Sequence, residues 1–466
     1  MSRIFINRER ELEFLNQRYK SGRKEIIIIY GRRRVGKTEL IKEFIKDKDA
    51  IYFLADRRGT MLNAHRFMEL VSEHFECPYL EPRNFDDVFK LITKFVNEKK
   101  KRFVVVIDEF SYLLEQDDTI ASVFQYIIDE ILTDRIMLIL CGSTIGLMES
   151  LFSYKNPMYG RRTGQWKVEP MSFFEFSQKF KTWSTEERIR MFAVTGGIPF
   201  YFMQMDENKS VFENIEAKIL NKSSILYEEV EFLLREGLRN PAAYLSILEA
   251  IARGNTRITD ISNYTKIRTN DLPKYLNTLM KLGVVEREIP VTEHWKKTKK
   301  SLYFIKNDFF RFWFRFVFPN KSKIEAGLID DVMKTRIIPQ FNQFVGQTFE
   351  KIAKVFIMHN LKLFAVERIG RYWDKQASKG KRNRSIEIDI VAINSYRNTI
   401  AFFEVKWASL SYKKAMSILR DLKEKSKAVK WHLDNRTEFF GIIAKRIENK
   451  EKLREENFIA YDLEDF

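Results

Sequence analysis

Ile26-Ile-Ile-Ile-Tyr30, then Gly31-Arg-Arg-Arg-Val-Gly-Lys-Thr38, then an amphipathic run over Glu39–Ile45: this stretch decides the fold. A short, wholly apolar run reads as a strand buried on both faces. The pattern G-x-x-x-x-G-K-[ST] between such a strand and a helix is a phosphate-binding loop. Its glycines let backbone N–H groups turn toward phosphates, and the helix N-terminus adds positive potential. Gly31, Arg32, Arg33, Arg34, Val35, Gly36, Lys37 and Thr38 are therefore the expected nucleotide-binding set, with ATP and Mg²⁺ as cofactors. Lys37 would neutralise the β- and γ-phosphates, and Thr38 would offer its hydroxyl to Mg²⁺.

Downstream, Phe103–Ile107 is a second buried strand and ends in Asp108-Glu109. Carboxylates released at the C-terminal end of a strand sit where an α/β sheet places its ligand chemistry. Asp108 is expected to hold Mg²⁺ through water, and Glu109 to polarise the attacking water. A dedicated water-activating carboxylate favours hydrolysis over phosphoryl transfer to a metabolite. Met137–Cys141 delivers Gly142-Ser143-Thr144, where Ser143 could sense the γ-phosphate. Arg161 and Arg162 precede a candidate strand at Gln165–Glu169, and one of them could reach a neighbouring subunit as an arginine finger. A homo-oligomer is thus one expected assembly.

Together with Ala50–Leu54, these strands alternate with helical stretches such as Ala121–Leu132, the signature of a layered α/β domain. Residues from Thr185 to Gly237 read as wholly helical, a lid. The chain has 466 residues, 45% hydrophobic and 31% charged, so two or three folded domains are expected. No apolar stretch is long enough for a membrane helix, and the N-terminus carries charge where a signal peptide would be apolar, which points to the cytoplasm. Cys77 and Cys141 are too far apart for a metal motif and read as reduced, buried thiols.

The net charge is +17. Residues 243–320 hold 14 Lys/Arg against 7 Asp/Glu, and residues 343–466 hold 25 against 17. The excess lies mostly away from the nucleotide motifs and favours a polyanionic partner, DNA first. Ala243–Ala252, Ile258–Thr265 and Asn270–Lys281 read as three helices closed by Gly283. Val284–Pro290 and Ser301–Lys306 can pair as a hairpin, completing a winged helix-turn-helix. Tyr264–Pro273 would include the start of the recognition helix, and Lys296–Lys300 would track phosphates. The aromatic run Asp308–Pro319 reads as a helix packed between domains. Lys321–Lys323 reads as a linker.

In the last domain a helix at Gly346–His359 contributes Glu350. Ile386-Glu-Ile-Asp-Ile-Val-Ala-Ile393 and Thr399-Ile-Ala-Phe-Phe-Glu-Val-Lys406 read as a hairpin, and Leu410–Lys427 as a further helix. Asp389 lies on the first strand; Glu404 and Lys406, two apart, share one face of the second. Such carboxylates can hold Mg²⁺ and orient a water against a phosphodiester, with Lys406 stabilising negative charge. Lys379–Arg384, Lys413 and Lys414 surround them with basic surface.

Two resemblances follow. Residues 1–205 resemble an archaeal-type ATPase of the AAA+/STAND group. The matches are Phe5-Ile-Asn-Arg-Glu-Arg-Glu-Leu12, the phosphate loop, Val105-Val-Ile-Asp-Glu109, Gly142-Ser-Thr-Ile-Gly146, Tyr159-Gly-Arg-Arg162 and Gly196-Gly-Ile-Pro-Phe-Tyr201. That resemblance implies that Phe5–Arg8, with Phe5 and Arg8 at its ends, flanks the adenine, and that Gly197 and Pro199 belong to the lid motif. Residues 240–320 resemble the winged-helix segment usually attached to this ATPase. The pattern Glu350, Asp389, Glu404-x-Lys406 resembles the PD-(D/E)XK nuclease core, particularly the branch with archaeal Holliday-junction resolvases, where these four positions are catalytic and Asp389 and Glu404 would ligate the metal.

The expected fold is α/β: a P-loop AAA+ parallel sheet (1–184) with a helical lid (185–240), a winged helix-turn-helix (241–320), a linker helix (321–341) and a restriction-endonuclease-like domain (342–466). The expected function is an ATPase that binds DNA, duplex or branched, and cleaves it with a Mg²⁺-dependent C-terminal site. The alternative is a STAND-like regulatory switch acting through protein partners, its nuclease-like domain inactive.

Overall fold

The computed structural model describes residues 5–238, 241–294, 298, 300–376 and 384–466. Most of Lys296–Lys300, and Lys379–Arg384 apart from the backbone of Arg384, lie outside them. The chain divides into two units, Met1–Met171 with Ile198–Phe200, and Ser172–Gly197 with Tyr201–Phe466.

The first unit is built on β1 (Glu25–Tyr30), β2 (Ala50–Leu54), β3 (Phe103–Asp108), β4 (Ile136–Gly142) and β5 (Gly164–Lys167). They form one parallel sheet in the order β2-β3-β4-β1-β5. Alternation along the strands divides two cores. Ile26, Ile28, Val105, Ile107, Leu138 and Leu140 join the core on one face. Ile27, Ile29, Val104, Val106, Ile139 and Cys141 join Leu15, Leu40 and Phe44 on the other. Every residue of β1, β3 and β4 is buried, which is why these strands read as continuous apolar runs. In β2 only Ile51 and Phe53 are buried and Leu54 is exposed, correcting the fully buried strand expected there. The reason is position: β2 is the sheet edge. The carboxyl ends of β1, β3 and β4 bring Gly31, Asp108 and Gly142 to the same margin.

In the second unit, helices Pro241–Ala252, Ile258–Thr265 and Leu272–Lys281 are followed by antiparallel strands β6 (Val285–Glu288) and β7 (Leu302–Ile305). The aromatic segment from Asp308 is helical and buried throughout Phe309, Phe310, Phe312, Trp313, Phe314 and Phe316. Its rings form core rather than an open stacking surface. Trp313 Nε1 donates to the Tyr227 carbonyl at 2.8 Å. Lys321–Lys323, at the head of the expected linker helix, starts the helix Lys321–Glu325, anchored by buried Ile324. The helix expected at Gly346–His359 begins earlier, at Ile338, and continues without a break from the π turn Met333–Ile337, with Pro339 just past that turn. Gly346 is carried inside it.

The C-terminal sheet contains β8 (Arg368–Gln376), β9 (Arg384–Asn394), β10 (Thr399–Leu410), β11 (Thr437–Ile447) and β12 (Ile459–Tyr461), ordered β12-β11-β10-β9-β8. β8, β9 and β10 are antiparallel neighbours, while β10, β11 and β12 run parallel. Helices Tyr412–Ser426 and Lys450–Glu455 make the two crossovers. No helix among the described residues is long and apolar enough to cross a membrane.

Candidate functional site

The loop after β1 approaches the chain after β5 too closely for any side chain at its start. A Cβ on Gly31 would stand 2.3 Å from the Val168 carbonyl oxygen. Gly36 has φ +91°, a left-handed conformation that favours glycine, and it launches the helix Lys37–Ile45. Lys37 is buried, its ammonium donating to the carbonyls of Gly31 and Arg32 at 3.0 Å each. The cation is thus held inside the loop, at the helix N-terminus, where phosphate oxygens would compete for it.

Thr38 Oγ1 donates to Asp108 Oδ2 at 2.7 Å, and the Glu109 backbone N–H donates to Asp108 Oδ1 at 2.9 Å. Asp108 is 1% exposed. Glu109 stands in the left-handed region (φ +53°), which turns the chain sharply between β3 and the next helix. Its Oε2 accepts from the Ser143 hydroxyl at 2.7 Å, joining the ends of β3 and β4. A hydroxyl and a carboxylate are the hard oxygen donors that Mg²⁺ prefers, so this set fits a magnesium nucleotide.

The remaining expected residues take varied places. Arg8 is buried, donating to Glu11 at 2.8 Å, to the Val35 carbonyl at 3.1 Å and to the Glu169 carbonyl at 2.8 Å. It braces the phosphate loop from behind. Phe5, partly buried, packs against the core on the Leu15 and Phe44 face of the sheet. Arg33 donates to the Tyr112 hydroxyl at 3.0 Å, and the Arg34 guanidinium lies 3.7 Å from the Phe200 ring centroid. Pro199 Cγ lies 3.9 Å from where a Cβ on Gly36 would be; Gly197 falls in the second unit. Arg161 is bound to Asp129 through Nε and Nη2 at 2.8–2.9 Å, and Arg162 lies over Phe152. Sequence reasoning missed Tyr52, whose hydroxyl donates to Asp108 Oδ2 at 2.5 Å. Burial, then the Asp108 charge, drives its pKa up.

The second cluster lies in the C-terminal sheet. The β9–β10 ladder runs from Asn394 and Thr399 to Ile390 and Phe403. Just past that point the Asp389 carboxylate accepts the Val405 N–H at 2.9 Å, in place of a ladder bond. Lys406 Nζ donates to Asp389 Oδ2 at 3.0 Å and to Glu404 Oε2 at 2.6 Å. A residue that sequence reasoning missed, Lys425 on the crossover helix, donates to Glu404 Oε1 at 2.8 Å. Its i,i+4 spacing from Asp421 reads as an ordinary surface pair. Glu350 faces Arg371 at 3.8 Å, and Arg371 also binds Glu387.

Burial, then the Asp389 charge, pushes Glu350 up to about 7 and raises Glu404 as well. For Lys406, burial acts to lower the pKa, but Asp389 and Glu404 outweigh it and hold the ammonium charged. The two carboxylates converge on one point, and an ammonium occupies it. The donors fit a hard cation in kind, once Lys406 withdraws. Among the described residues, no three His, Cys, Asp or Glu side chains stand close enough to hold a metal together.

Residues 5–205 match a family described as an ATPase domain predominantly from Archaea. Residues 313–418 match a family described as archaeal and bacterial proteins of unknown function. An uncharacterized protein of Methanocaldococcus jannaschii is 35% identical over 469 residues, covering 99% of this chain and all of the relative. An uncharacterized ATP-binding protein of the same organism is 53% identical over 45 residues, 10% of this chain and 76% of that protein. Among solved structures, the Walker-type ATPase PABY2304 of Pyrococcus abyssi superposes with a TM-score of 0.50 at 22% identity, over 67% of this chain and 96% of its own. That likeness speaks for the fold. With a full-length relative and a matching ATPase domain, the chain belongs to the archaeal-type P-loop ATPases that carry this C-terminal region of unknown function.

Proposed function

We propose that this ATPase is a cytoplasmic, DNA-processing protein, in which nucleotide turnover serves a DNA-binding segment and a metal-dependent C-terminal nuclease-like domain. The domains are read as a P-loop core (1–184), a lid (185–240), a winged helix (241–320), a linker helix (321–341) and the nuclease-like domain (342–466). The observation that carries the reading is the convergence of Asp389 Oδ2 and Glu404 Oε2 on a single cation position, with Glu350 near enough for Asp389 to raise its pKa. The basic C-terminal half supports DNA as the polyanion.

ATP with Mg²⁺ supplies the phosphoanhydride and the charge-neutralising cation at the first site. Lys37 would leave the carbonyls of Gly31 and Arg32 to hold the β- and γ-phosphates, while Thr38 and Asp108 would hold the metal. Glu109, oriented by the Ser143 hydroxyl, would accept the proton of the attacking water at its free oxygen. In the C-terminal unit Asp389 and Glu404 would hold a divalent cation, and Lys406, displaced from between them, would stabilise negative charge on the phosphodiester. Tyr264–Pro273 and the hairpin of β6 and β7 would contact duplex phosphates. Assembly into a homo-oligomer would give Arg161 or Arg162 a neighbouring site to serve.

A second reading is favoured by one observation: both oxygens of Glu404 are already held by ammonium groups. In that reading the C-terminal domain is inactive and the chain is a slow regulatory switch acting on protein partners. Titration with Mg²⁺ against duplex, single-stranded and branched DNA at low salt, with and without ATP, separates the two. Binding and cleavage that depend on Asp389 support the first. Neither binding nor cleavage, with slow DNA-independent ATP turnover, would overturn it in favour of the second.

A further inference from the structure

Asp108 carries more hydrogen bonds than the phosphate-loop chemistry requires. Its Oδ1 accepts the Glu109 N–H at 2.9 Å, and its Oδ2 accepts from both Thr38 Oγ1 at 2.7 Å and Tyr52 OH at 2.5 Å. Tyr52 belongs to β2, paired in parallel with β3, so its phenol reaches the end of the neighbouring strand from the sheet edge. Lys42 Nζ lies 5.3 Å from the Tyr52 ring centroid, on the side of the helix that follows the loop. The phenol is half-buried and its only hydrogen-bond role toward Asp108 is as donor.

We infer that Tyr52 is a positioning residue of the magnesium site: its hydroxyl fixes the plane of the Asp108 carboxylate so that Asp108 and Thr38 present oxygen to the cation together. The argument is geometric. Among the donors on Asp108, the N–H of Glu109 is backbone and cannot turn the carboxylate against the sheet, and the buried Cys141 thiol of β4 is a weak donor. The Thr38 hydroxyl is the group that would rearrange when a cation arrives. The phenol is the strong donor that comes from outside the phosphate loop, and it is rigid, since a Tyr side chain has few torsions and this one is anchored in a strand. A charge-assisted bond from such a donor holds one carboxylate rotamer before the ligand binds, so the ordering cost is met in advance. Tyr52 touches neither nucleotide nor metal; it acts through Asp108.

This inference rests on Thr38 and Asp108 being the metal-side residues of the nucleotide site. The test follows binding of a fluorescent ADP analogue to the full chain as Mg²⁺ is titrated, with a parallel series in EDTA. Tyr52→Phe keeps the ring and removes only the donor. Its Mg²⁺ midpoint is expected to rise roughly three- to tenfold, the size of one net hydrogen bond. Its nucleotide affinity in EDTA should stay within about twofold of wild type, since uniform binding is untouched. With Mn²⁺ in place of Mg²⁺, the electron paramagnetic resonance spectrum of the bound cation should broaden in Tyr52→Phe as the carboxylate loses its single orientation. An unchanged Mg²⁺ midpoint, or an equal loss in EDTA, overturns the role. Asp108→Asn and Thr38→Ala are run alongside: if neither moves the Mg²⁺ midpoint, the site assignment itself has failed, and with it this inference.

Discussion

Lys425 Nζ donates to Glu404 Oε1 at 2.8 Å, from 21 residues further along the chain on the helix Tyr412–Ser426. Glu404 is 3% exposed and therefore depends on paired charge. Its other oxygen is held by Lys406. Replacing Lys425 by Met removes one of two ammonium partners. In EDTA the C-terminal unit should lose about 1–2 kcal/mol, less than a fully buried pair because Lys425 is partly exposed and Lys406 remains. The same change removes a competitor for a divalent cation, so Mn²⁺ should bind about tenfold more tightly. Calorimetric Mn²⁺ titration of wild type, Lys425→Met and Asp389→Asn checks this. Equal Mn²⁺ affinity in the first two would sink the idea that the amines and the metal compete.

Glu350 makes a pH prediction whose sign is fixed by the direction of its shift. Burial and the Asp389 charge move its pKa from the usual 4.5 to about 7. A carboxyl that binds its proton more tightly when folded contributes most stability below pH 4.5 and loses that contribution as pH rises through 7. Glu350→Gln abolishes the proton uptake. Relative to wild type in metal-free buffer, the variant should therefore gain stability from pH 4.5 to pH 7, on the order of 3 kcal/mol, and level off above. Paired urea titrations across that range give the difference curve. A variant that instead weakens relative to wild type as pH rises would refute the assignment.

Much of both sites was legible because it is local in sequence. The phosphate loop joins a strand and a helix without a break, and Glu404-x-Lys406 shares a face by strand alternation alone. Asp389 could be placed because its strand is the hairpin partner. What stayed hidden depends on packing between distant elements. Tyr52 meets Asp108 only through the β2–β3 pairing, 56 residues apart. Lys425 sits on a crossover helix whose sequence is that of any charged surface helix. Strands β8, β11 and β12 also escaped notice: β8 (RIGRYWDKQ) carries charge where apolar residues would mark a strand, and β12 is three residues long.

In the proposed ATPase site, Glu109 and Ser143 would separate binding from turnover. Glu109→Gln keeps the shape of the side chain and removes its capacity to take a proton, so kcat for ATP should fall by at least about 100-fold. Nucleotide affinity should change by less than about threefold, because Asp108, Thr38 and Lys37 are untouched. Ser143→Ala removes only the 2.7 Å donor that orients Glu109, and a loss near tenfold is expected. Steady-state hydrolysis with a parallel binding assay reads both. If Ser143→Ala matched Glu109→Gln, Ser143 would be doing more than orienting the base.

Arg161 poses the sharpest alternative, because its guanidinium is already engaged with Asp129 through two nitrogens. A finger for a neighbouring subunit would have to leave that carboxylate, so in the proposed assembly the pair would act as a catch. The ion pair is partly exposed, and Asp129→Asn or Arg161→Ala should each lower stability by only about 1 kcal/mol. Their effects on turnover should diverge. Arg161→Ala should slow hydrolysis at protein concentrations where chains associate, and leave dilute protein near wild type. Asp129→Asn releases the arginine and should keep turnover or raise it. Hydrolysis per chain measured across a concentration series, alongside sedimentation of the same samples, decides the matter. If both variants lose stability and turnover in step at every concentration, Arg161 is a brace within its own chain and the finger role falls.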